Sequence, residues 1–352
     1  MLNFALGPVM IEKEVLEIGS KQLPYFRTAD FSSLTLENEA ILNKLIHAPV
    51  GSRVIFLTGS GTAAMEAAIM NLFTSQDKIL IVNGGSFGSR FKELCDVHEL
   101  SSEEVKLNFG EELTCEHLAP YEDKGISGLL INAHETSTGV LYNMELVGDF
   151  CKRNNVFLVV DAISTFLADP YDMQKYGVNA SILSSQKALA LPPGVSFLIV
   201  DPIAQERIFK NRVRSLYFDL KAYLADGLRG QTPYTPSVST FIQLNKKLHL
   251  IEDRGLNSIV EGVARLAKDF RTKIKGLPLK ITTTSLSNAL TPLSPVGNLL
   301  AKEIVDYLRE VDIFVCPNGG QLSNTLFRVG HIGAITEKDN DALIRALVAL
   351  HN

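Results

Sequence analysis

Residues 53–68 read RVIFLTGSGTAAMEAA and join a short apolar run to a helical pattern through a turn of small residues. The run Arg53–Thr58 has the length and the content of branched side chains expected of a buried strand. A helix is predicted over Thr62–Phe73, where apolar residues recur at helical spacing. A strand that passes through a glycine-containing turn directly into a helix is typical of an α/β fold. This stretch therefore predicts an open sheet covered by helices.

The same alternation of apolar runs and helical patterns continues to about residue 200. Helices are predicted at Ser86–His98 and Met144–Asn154. Further strands are predicted at Lys78–Asn83, Val105–Phe109, Gly128–Asn132, Val156–Asp161, Ala180–Ser184 and Val195–Val200. Because most of these runs are apolar throughout, helices should cover both faces of the sheet, which is typical of parallel strands. The sequence predicts an α/β domain with a mostly parallel seven-stranded sheet.

The pattern changes after Asp201, where longer helices and fewer strands are expected. The predicted helices are Val238–Glu252, Leu256–Lys275, Asn298–Glu310 and Glu337–Leu350, and the predicted strands are Lys280–Thr283, Ile313–Cys316 and Leu326–Gly330. We therefore expect an N-terminal segment over residues 1–20, a large domain over residues 21–254, and a smaller C-terminal α+β domain over residues 255–352.

Composition narrows the class of function. The 352 residues include 34 Lys and Arg against 39 Asp and Glu, and 46% of them are hydrophobic. With a net charge of −5, the chain lacks the excess of basic residues that is typical of proteins that bind nucleic acid or an anionic membrane. Four scattered cysteines indicate neither a disulfide framework nor a metal site, and we find no signal peptide or spanning segment. These features predict a cytoplasmic protein that acts on small molecules.

Polar residues directly after strands carry most of the functional information in open α/β sheets, because ligands bind at that edge. The first such turn covers residues 58–65, where backbone N–H groups and the hydroxyls of Ser60 and Thr62 could hold a phosphate at the start of a helix. The alternative is a plain helix cap. The G-x-G-x-x-A spacing from Gly59 also matches a dinucleotide site, with Asp77 as its ribose ligand.

Two further turns supply an acid and an amine. Asp161 ends an apolar strand, where it could hold a cationic ring nitrogen or a metal, or cap the turn at residues 162–164. Lys187 follows the strand Ala180–Ser184, and a partly desolvated lysine there becomes a nucleophile that can form a Schiff base. Most single lysines are instead solvated surface residues.

The three turns together match the needs of pyridoxal 5'-phosphate. That cofactor requires an anchored phosphate, a carboxylate beside its ring nitrogen and a lysine for its aldehyde. A dinucleotide enzyme would use the glycines of the first turn but gives no reason for Asp161 or Lys187. We therefore expect pyridoxal phosphate as the cofactor.

With these residues in place, the chain resembles the class V, fold type I, pyridoxal-phosphate-dependent aminotransferases. More narrowly, it is similar to the branch of alanine–glyoxylate, serine–pyruvate and 2-aminoethylphosphonate–pyruvate aminotransferases. The resemblance covers nearly the whole chain through an ordered set of motifs: residues 6–8 (LGP), 27–31 (RTADF), 59–68 (GSGTAAMEAA), 83–91 (NGGSFGSRF), 134–140 (HETSTGV), 159–165 (VVDAIST), 184–189 (SSQKAL), 192–194 (PPG), 232–239 (TPYTPSVS) and 327–333 (FRVGHIG). It implies a large domain with a seven-stranded sheet and a small C-terminal domain.

The resemblance also implies roles for the cofactor's neighbours. Lys187 matches the lysine that bonds the cofactor's aldehyde, and Asp161 matches the partner of its pyridine nitrogen. The remaining implied cofactor contacts are Ser60, Gly61, Thr62 and Gln186 at the phosphate, Phe87 stacked on the ring, and Thr136 near the phenolic oxygen. For Phe87 the alternative is an ordinary core position at the start of a helix.

Other implied roles concern the substrate and the neighbouring subunit. Arg328 matches the arginine that binds the substrate carboxylate, and its alternative is a surface salt bridge. Gly7 matches a glycine that lines the substrate pocket, and its alternative is a plain turn. Tyr234 and Thr235 match residues that reach the phosphate of the partner subunit, which implies a homodimer.

The implied reaction is transamination by a ping-pong mechanism between a small amino donor and pyruvate or glyoxylate. Residues 134–139 are closer to the aminoethylphosphonate enzymes, whereas residues 185–188 are closer to the alanine–glyoxylate group, so alanine, serine and 2-aminoethylphosphonate all stay open as donors. Phe26 and Thr62 stand where the latter group often has histidine. The alternatives are a lyase of the cysteine desulfurase type, which would need a histidine before Lys187, a non-catalytic pyridoxal-phosphate-binding protein and, more distantly, a dinucleotide oxidoreductase.

Overall fold

The computed structural model describes residues 1–351, which form two main sheets, a small hairpin and the helices around them. The strands are β1 Leu2–Phe4, β2 Arg53–Thr58, β3 Lys78–Asn83, β4 Ser101–Lys106, β5 Gly128–Asn132, β6 His134–Glu135, β7 Val140–Leu141, β8 Phe157–Asp161, β9 Ala180–Ser184, β10 Val195–Val200, β11 Leu279–Ile281, β12 Leu290–Pro295, β13 Ile313–Pro317 and β14 Phe327–Gly330.

The helices alternate with these strands over much of the chain. They are α1 Lys13–Gly19, α2 Ala29–Leu45, α3 Gly61–Leu72, α4 Ser86–Val97, α5 Cys115–Leu118, α6 Met144–Asn154, α7 Pro202–Lys210, α8 Leu220–Gly227, α9 Val238–Arg254, α10 Leu256–Lys273, α11 Ala301–Glu310 and α12 Glu337–His351. None of the helices within residues 1–351 combines the length and the apolar composition that crossing a bilayer would require.

The large sheet has seven strands in the order β2-β10-β9-β8-β5-β3-β4. Strand β10 runs antiparallel to both neighbours, and the other pairs are parallel. This confirms the predicted α/β fold and the mostly parallel seven-stranded sheet. The central strands are buried on both faces, so alternate residues feed two separate cores. In β8, Leu158 and Val160 join one core, whereas Phe157 and Val159 join the other.

The fourth strand of this sheet is displaced from its predicted position. We predicted Val105–Phe109, but β4 spans Ser101–Lys106 and pairs with β3 from Lys78↔Ser101 to Asn83↔Lys106. It lies at the edge of the sheet and buries only Val105. An edge strand with one exposed face can consist largely of polar residues. The prediction followed the apolar residues after the strand and therefore placed its bounds too far along the chain.

The second sheet has five strands in the order β1-β13-β14-β12-β11. Its core is packed by α10, α11 and α12, and β1 brings the first residues of the chain into it by pairing with β13. The sequence did not predict β12, which reads LTPLSP, because proline lacks the N–H that a ladder needs. Pro292 lies opposite Thr282, just beyond the end of the three-residue β11, so the missing donor falls where the neighbouring strand has stopped.

Candidate active site

The carboxyl ends of β5, β8 and β9 meet at one edge of the large sheet and place the predicted acid and amine there. A cavity of about 240 Å³ opens at this edge. It is lined by Gly7, Ser60, Gly61, Thr62, Met65, Phe87, Arg90, Thr136, Asp161, Ile163, Ser164, Gln186 and Lys187. The structure thus brings nine of the twelve predicted site residues together, because three strand ends and the start of α3 converge there.

Asp161 is a buried carboxylate, with 6% of its surface exposed. Its Oδ2 accepts a hydrogen bond from Asn132 Nδ2 at 2.8 Å, and its Oδ1 accepts one from the Ile163 N–H at 2.9 Å. Burial raises the pKa of Asp161 to about 6, although both hydrogen bonds and the charge of Lys187 oppose the shift. The side chain therefore does cap the following turn, as one interpretation predicted, and also lines the cavity.

Lys187 lines the same cavity as Asp161. Burial lowers the pKa of Lys187 to about 8, since a charged amine is costly to desolvate, while the nearby Cys316 and Asp161 counteract part of this shift. A lysine of this kind can lose its proton close to neutral pH, which an exposed lysine does not. The environment fits a nucleophilic amine better than a solvated surface residue.

The start of α3 has no side-chain cap. Ser60 occupies the N-cap position, but its side chain accepts no hydrogen bond from the helix, and the first turn contains no acidic residue. By contrast, Asn143 and Asp201 cap α6 and α7 through their side chains. The cap interpretation of Ser60 is therefore wrong for its hydroxyl. The free donors and the positive end of the helix dipole suit an anion.

Asp77, the ribose ligand of the dinucleotide interpretation, lies elsewhere. It precedes β3 at the opposite edge of the sheet, where it accepts hydrogen bonds from Thr74, Ser127 and Arg207. An acid that is held there cannot reach a ligand at the start of α3. The glycine spacing alone remains of the predicted dinucleotide site.

Phe87 and Thr136 line the cavity from a second pair of elements. Phe87 is only partly buried, at the start of α4, so the predicted alternative of an ordinary core position does not hold. Its backbone N–H and that of Gly88 donate to the buried carboxylate of Glu135, at 3.2 and 3.0 Å. Thr136 is buried and its hydroxyl lies 3.3 Å from that of Ser164.

Gly7 and Gln186 close the cavity on the side of Lys187. A side chain built on Gly7 would place its Cβ 3.1 Å from Lys187 Cδ, and the backbone of Gly7 has a φ of +150°. Gln186 Oε1 accepts a hydrogen bond from the Ser184 hydroxyl at 2.5 Å. Gly7 therefore does more than form a turn, since its backbone lies against the side chain of Lys187.

Arg328 lines an adjoining cavity of about 620 Å³, which shares Phe87 with the first. Its two terminal nitrogens donate to the carbonyl oxygens of Thr136 and Pro317, at 2.8 and 2.7 Å, whereas its Nε is buried and has no partner. Burial lowers the pKa of Arg328. Among residues 1–351 no carboxylate forms an ion pair with it, so the surface salt bridge predicted as its alternative is absent.

Tyr234 and Thr235 do not line either cavity of this chain. The Tyr234 hydroxyl donates to the Leu216 carbonyl at 2.7 Å, its ring stacks on Tyr217 with centroids 5.0 Å apart, and Thr235 is exposed. Their predicted contact with a partner subunit stays a prediction.

The sequence reasoning missed several residues of the site. Ile163 and Met65 are apolar lining residues within the quoted motifs VVDAIST and GSGTAAMEAA, to which no role was assigned. Arg90 lies one helical turn after Phe87 in the quoted motif NGGSFGSRF. The helical spacing of Arg90 and Phe87 could have placed both on one face of α4. Within the described part of the chain, no group of three or more His, Cys, Asp and Glu side chains is arranged to hold a metal.

Comparison with known families gives a match over most of the chain. The family described as "Aminotransferase class-V" matches residues 26–330. An uncharacterized aminotransferase of Methanocaldococcus jannaschii is 31% identical over 343 residues, covering 95% of this chain and 88% of that protein. The small subunit of a soluble hydrogenase of Synechococcus is 29% identical over 352 residues, covering 98% and 91%.

A further relative and one solved structure agree with this match. The serine–glyoxylate aminotransferase of Arabidopsis thaliana is 26% identical over 345 residues, covering 95% of this chain and 86% of that protein. The crystal structure of an alanine–glyoxylate aminotransferase from Nostoc superposes with a TM-score of 0.94 at 24% identity, covering 100% of this chain and 95% of the other. That likeness shows the same fold.

Proposed function

Because this chain belongs to the class V aminotransferase family, we propose that it transfers an amino group from a small amino donor to glyoxylate or pyruvate. The protein is a pyridoxal-phosphate-dependent aminotransferase. The observation that carries the proposal is the cavity in which Lys187, Asp161 and the uncapped start of α3 converge beside Arg328.

The residues of the cavity fit the cofactor. An uncapped helix start suits its phosphate, the buried carboxylate of Asp161 suits a cationic ring nitrogen, and the desolvated amine of Lys187 suits an aldehyde. When bound, pyridoxal phosphate supplies an aldehyde that bonds amines and a ring that withdraws electrons from the adjacent carbon. The protein must supply the remaining binding, orientation and proton transfer.

Each proposed residue has one task in the reaction. Lys187 Nζ takes the proton from the α-carbon of the donor and returns it later, which its pKa of about 8 allows near neutral pH. Asp161 keeps a proton on the ring nitrogen, since a buried carboxylate gains most from a cationic partner. Phe87 covers one face of the site and Ile163 lines the cavity as well.

Arg328 is proposed to bind the acid group of each substrate, which is the carboxylate of a 2-oxo acid or an amino-acid donor and the phosphonate of 2-aminoethylphosphonate. Its Nε is buried without a partner, and carbonyl oxygens hold its other nitrogens in place. A guanidinium that is held in place, and whose terminal nitrogens each keep a second N–H, is suited to a carboxylate or a phosphonate. One carboxylate site that serves donor and acceptor in turn is consistent with two half-reactions, and therefore with ping-pong kinetics.

Glyoxylate is supported as an acceptor by the relatives. The Arabidopsis relative is named for serine and glyoxylate, and a Paracoccus denitrificans relative, 27% identical over 296 residues, is named for aspartate and glyoxylate. The donors differ between them, so the donor for this chain stays open among alanine, serine, aspartate and 2-aminoethylphosphonate.

The test is a panel of these four donors with glyoxylate, and of serine, aspartate and 2-aminoethylphosphonate with pyruvate. We expect at least one donor to produce glycine from glyoxylate or alanine from pyruvate, with parallel double-reciprocal plots. Lys187→Ala should abolish both the turnover and the covalent cofactor adduct that borohydride traps. A wild-type protein that binds the cofactor but forms no amino-acid product with any pair would contradict the proposal.

A homodimer is proposed on the same basis. Tyr234 and Thr235 lie outside the cavity of their own chain, and the apolar Leu216, whose carbonyl oxygen accepts the hydrogen bond from Tyr234, is 82% exposed. A second copy that covers this surface would bring the two side chains towards the neighbouring phosphate site.

A further inference from the structure

The proposed phosphate contacts of this chain are all uncharged. Ser60, Gly61, Thr62 and Gln186 offer hydroxyl, backbone and amide donors. A phosphate monoester carries between one and two negative charges at neutral pH, and a helix N-terminus offsets about half a charge. A cation close to these donors would balance the remaining negative charge.

Arg90 is placed to supply that charge. It lines the cavity from α4, and its Nη1 donates to Thr62 Oγ1 at 3.3 Å. Its guanidinium carbon lies 5.2 Å from the centre of the Phe87 ring, which holds the group beside the cavity. Within residues 1–351 no carboxylate pairs with it, so its charge is not neutralised by the protein.

The other cations of the site have different tasks. Lys187 is the second cationic residue lining the cavity and is assigned to the cofactor's aldehyde. Arg328 lines the adjoining cavity, where its terminal nitrogens already donate to the carbonyl oxygens of Thr136 and Pro317. Neither side chain is hydrogen-bonded to a proposed phosphate donor, whereas the Arg90 side chain donates a hydrogen bond to Thr62.

We propose that Arg90 is the cationic ligand of the cofactor's phosphate group. The proposal rests on the function proposed above, in which this cavity holds pyridoxal phosphate. Arg90 binds an oxygen of the phosphate together with Thr62. Its contact with the Phe87 ring fixes the position of this ring relative to the phosphate contacts. Arginine suits this task because its planar donors match phosphate geometry and its charge persists at every relevant pH.

The experiment compares pyridoxal phosphate with pyridoxal, which has the same aldehyde but no phosphate. Full-length, cofactor-depleted protein is titrated with each, and the absorbance of the adduct with Lys187 reports binding. For Arg90→Met we expect the preference for pyridoxal phosphate over pyridoxal to fall about tenfold to a hundredfold, as expected for a lost charge-assisted hydrogen bond. The affinity for pyridoxal itself should stay near that of the wild type.

Two control variants accompany this substitution. Arg90→Lys keeps the charge but loses the planar geometry, so its preference should lie between those of wild type and Arg90→Met. Arg153→Met removes an exposed arginine that pairs with Glu122 and should leave the preference unchanged. If Arg90→Met fails to fold, Arg90→Lys carries the test alone.

The possible results separate the two proposals. An unchanged preference in both Arg90 variants overturns the role of Arg90, as does an equal loss of affinity for both ligands, which indicates a structural role. A change confined to the KM of the amino donor also overturns it, since Arg90 would then bind substrate. Failure of the wild-type protein to form any adduct with pyridoxal phosphate would instead contradict the proposed function.

Discussion

Asp161 and Lys187 show how burial shifts the pKa of the two central groups of the site. Desolvation raises the pKa of Asp161 to about 6 and lowers that of Lys187 to about 8, because both charged forms lose hydration. Each group therefore titrates nearer to neutrality than in water. A cationic ring nitrogen beside Asp161 would stabilise the ionised carboxylate. Binding of the cofactor would therefore offset the free-energy cost of burying this charge.

That cost predicts a pH dependence of stability for the cofactor-free protein. A carboxyl group whose folded pKa is raised from 3.8 to about 6 binds its proton more tightly in the folded state. The folded state is therefore favoured by this group below pH 4 and loses stability as the pH rises to about 6. We expect Asp161→Asn to be more stable than the wild type at pH 7 by about 2 to 3 kcal/mol, and to gain little at pH 4.

Chemical denaturation at pH 4, 5, 6 and 7 without cofactor would measure this difference. Asp169 is a second buried acid with a pKa raised to about 6, so part of the pH dependence should persist in the variant. Asp306→Asn, at a partly exposed position on α11, serves as the control and should follow the wild-type curve. Equal wild-type and Asp161→Asn curves at all four values would refute the assignment of this cost to Asp161.

At the scale of elements, the short hairpin of β6 and β7 organises the site. The Glu135 carboxylate accepts hydrogen bonds from the first turn of α4 and from the Ser137 N–H and hydroxyl, at 3.1 and 2.6 Å. The next residue, Thr136, holds Arg328 through its carbonyl oxygen. This hairpin therefore fixes the positions of Phe87 and Arg328 relative to each other.

The close approach of the hairpin to α4 requires glycine at position 85. A Cβ there would lie 2.3 Å from Ser137 Oγ and 2.7 Å from Glu135 Cδ. Gly85→Ala should therefore displace the start of α4 and Phe87, and slow turnover by roughly tenfold to a hundredfold. Steady-state kinetics and the melting temperature would measure the effect.

Gly262→Ala is the matched control for this substitution. Gly262 lies within α10, and its added Cβ would approach only the far end of Arg265, at 3.7 Å. This variant should keep full activity and gain a little stability, since alanine favours a helix over glycine. Full activity in Gly85→Ala would show that the hairpin does not position Phe87.

At the scale of the whole molecule, the first and last parts of the chain meet around the site. Strand β1 joins the C-terminal sheet, and Gly7, a few residues later, lies against Lys187. The same C-terminal sheet presents Arg328 from β14. The adjoining cavities thus depend on the packing of the two sheets together.

The proposed dimer extends this dependence to a second copy. If Tyr234 and Thr235 serve the neighbouring site, a dimer of one Lys187→Ala chain and one Tyr234→Phe/Thr235→Ala chain contains one intact site. The Lys187→Ala variant alone should be inactive, and the Tyr234→Phe/Thr235→Ala variant alone should be impaired. Co-expression should restore roughly a quarter of wild-type activity, because about half of the dimers are mixed and each mixed dimer has one intact site of two. Activity no higher than the sum of the two separate variants would refute the shared site.

The sequence by itself determined the sheet and the identity of the central groups. Apolar runs such as Gly128–Asn132 and Ala180–Ser184 matched the observed strands to the residue, because a strand buried on both faces must be apolar throughout. Lys187 and Asp161 could be singled out for a similar reason, since each follows such a strand at the edge where ligands bind.

The tertiary structure alone decided how distant segments meet. Thr136 and Arg328 are 192 residues apart, and Glu135 reaches α4 from 47 residues beyond Gly88. It also revealed the free charge of Arg90 and the uncapped hydroxyl of Ser60. Local patterning records whether a residue is buried, whereas its partners depend on how the sheets and helices pack, and no short stretch of sequence contains that information.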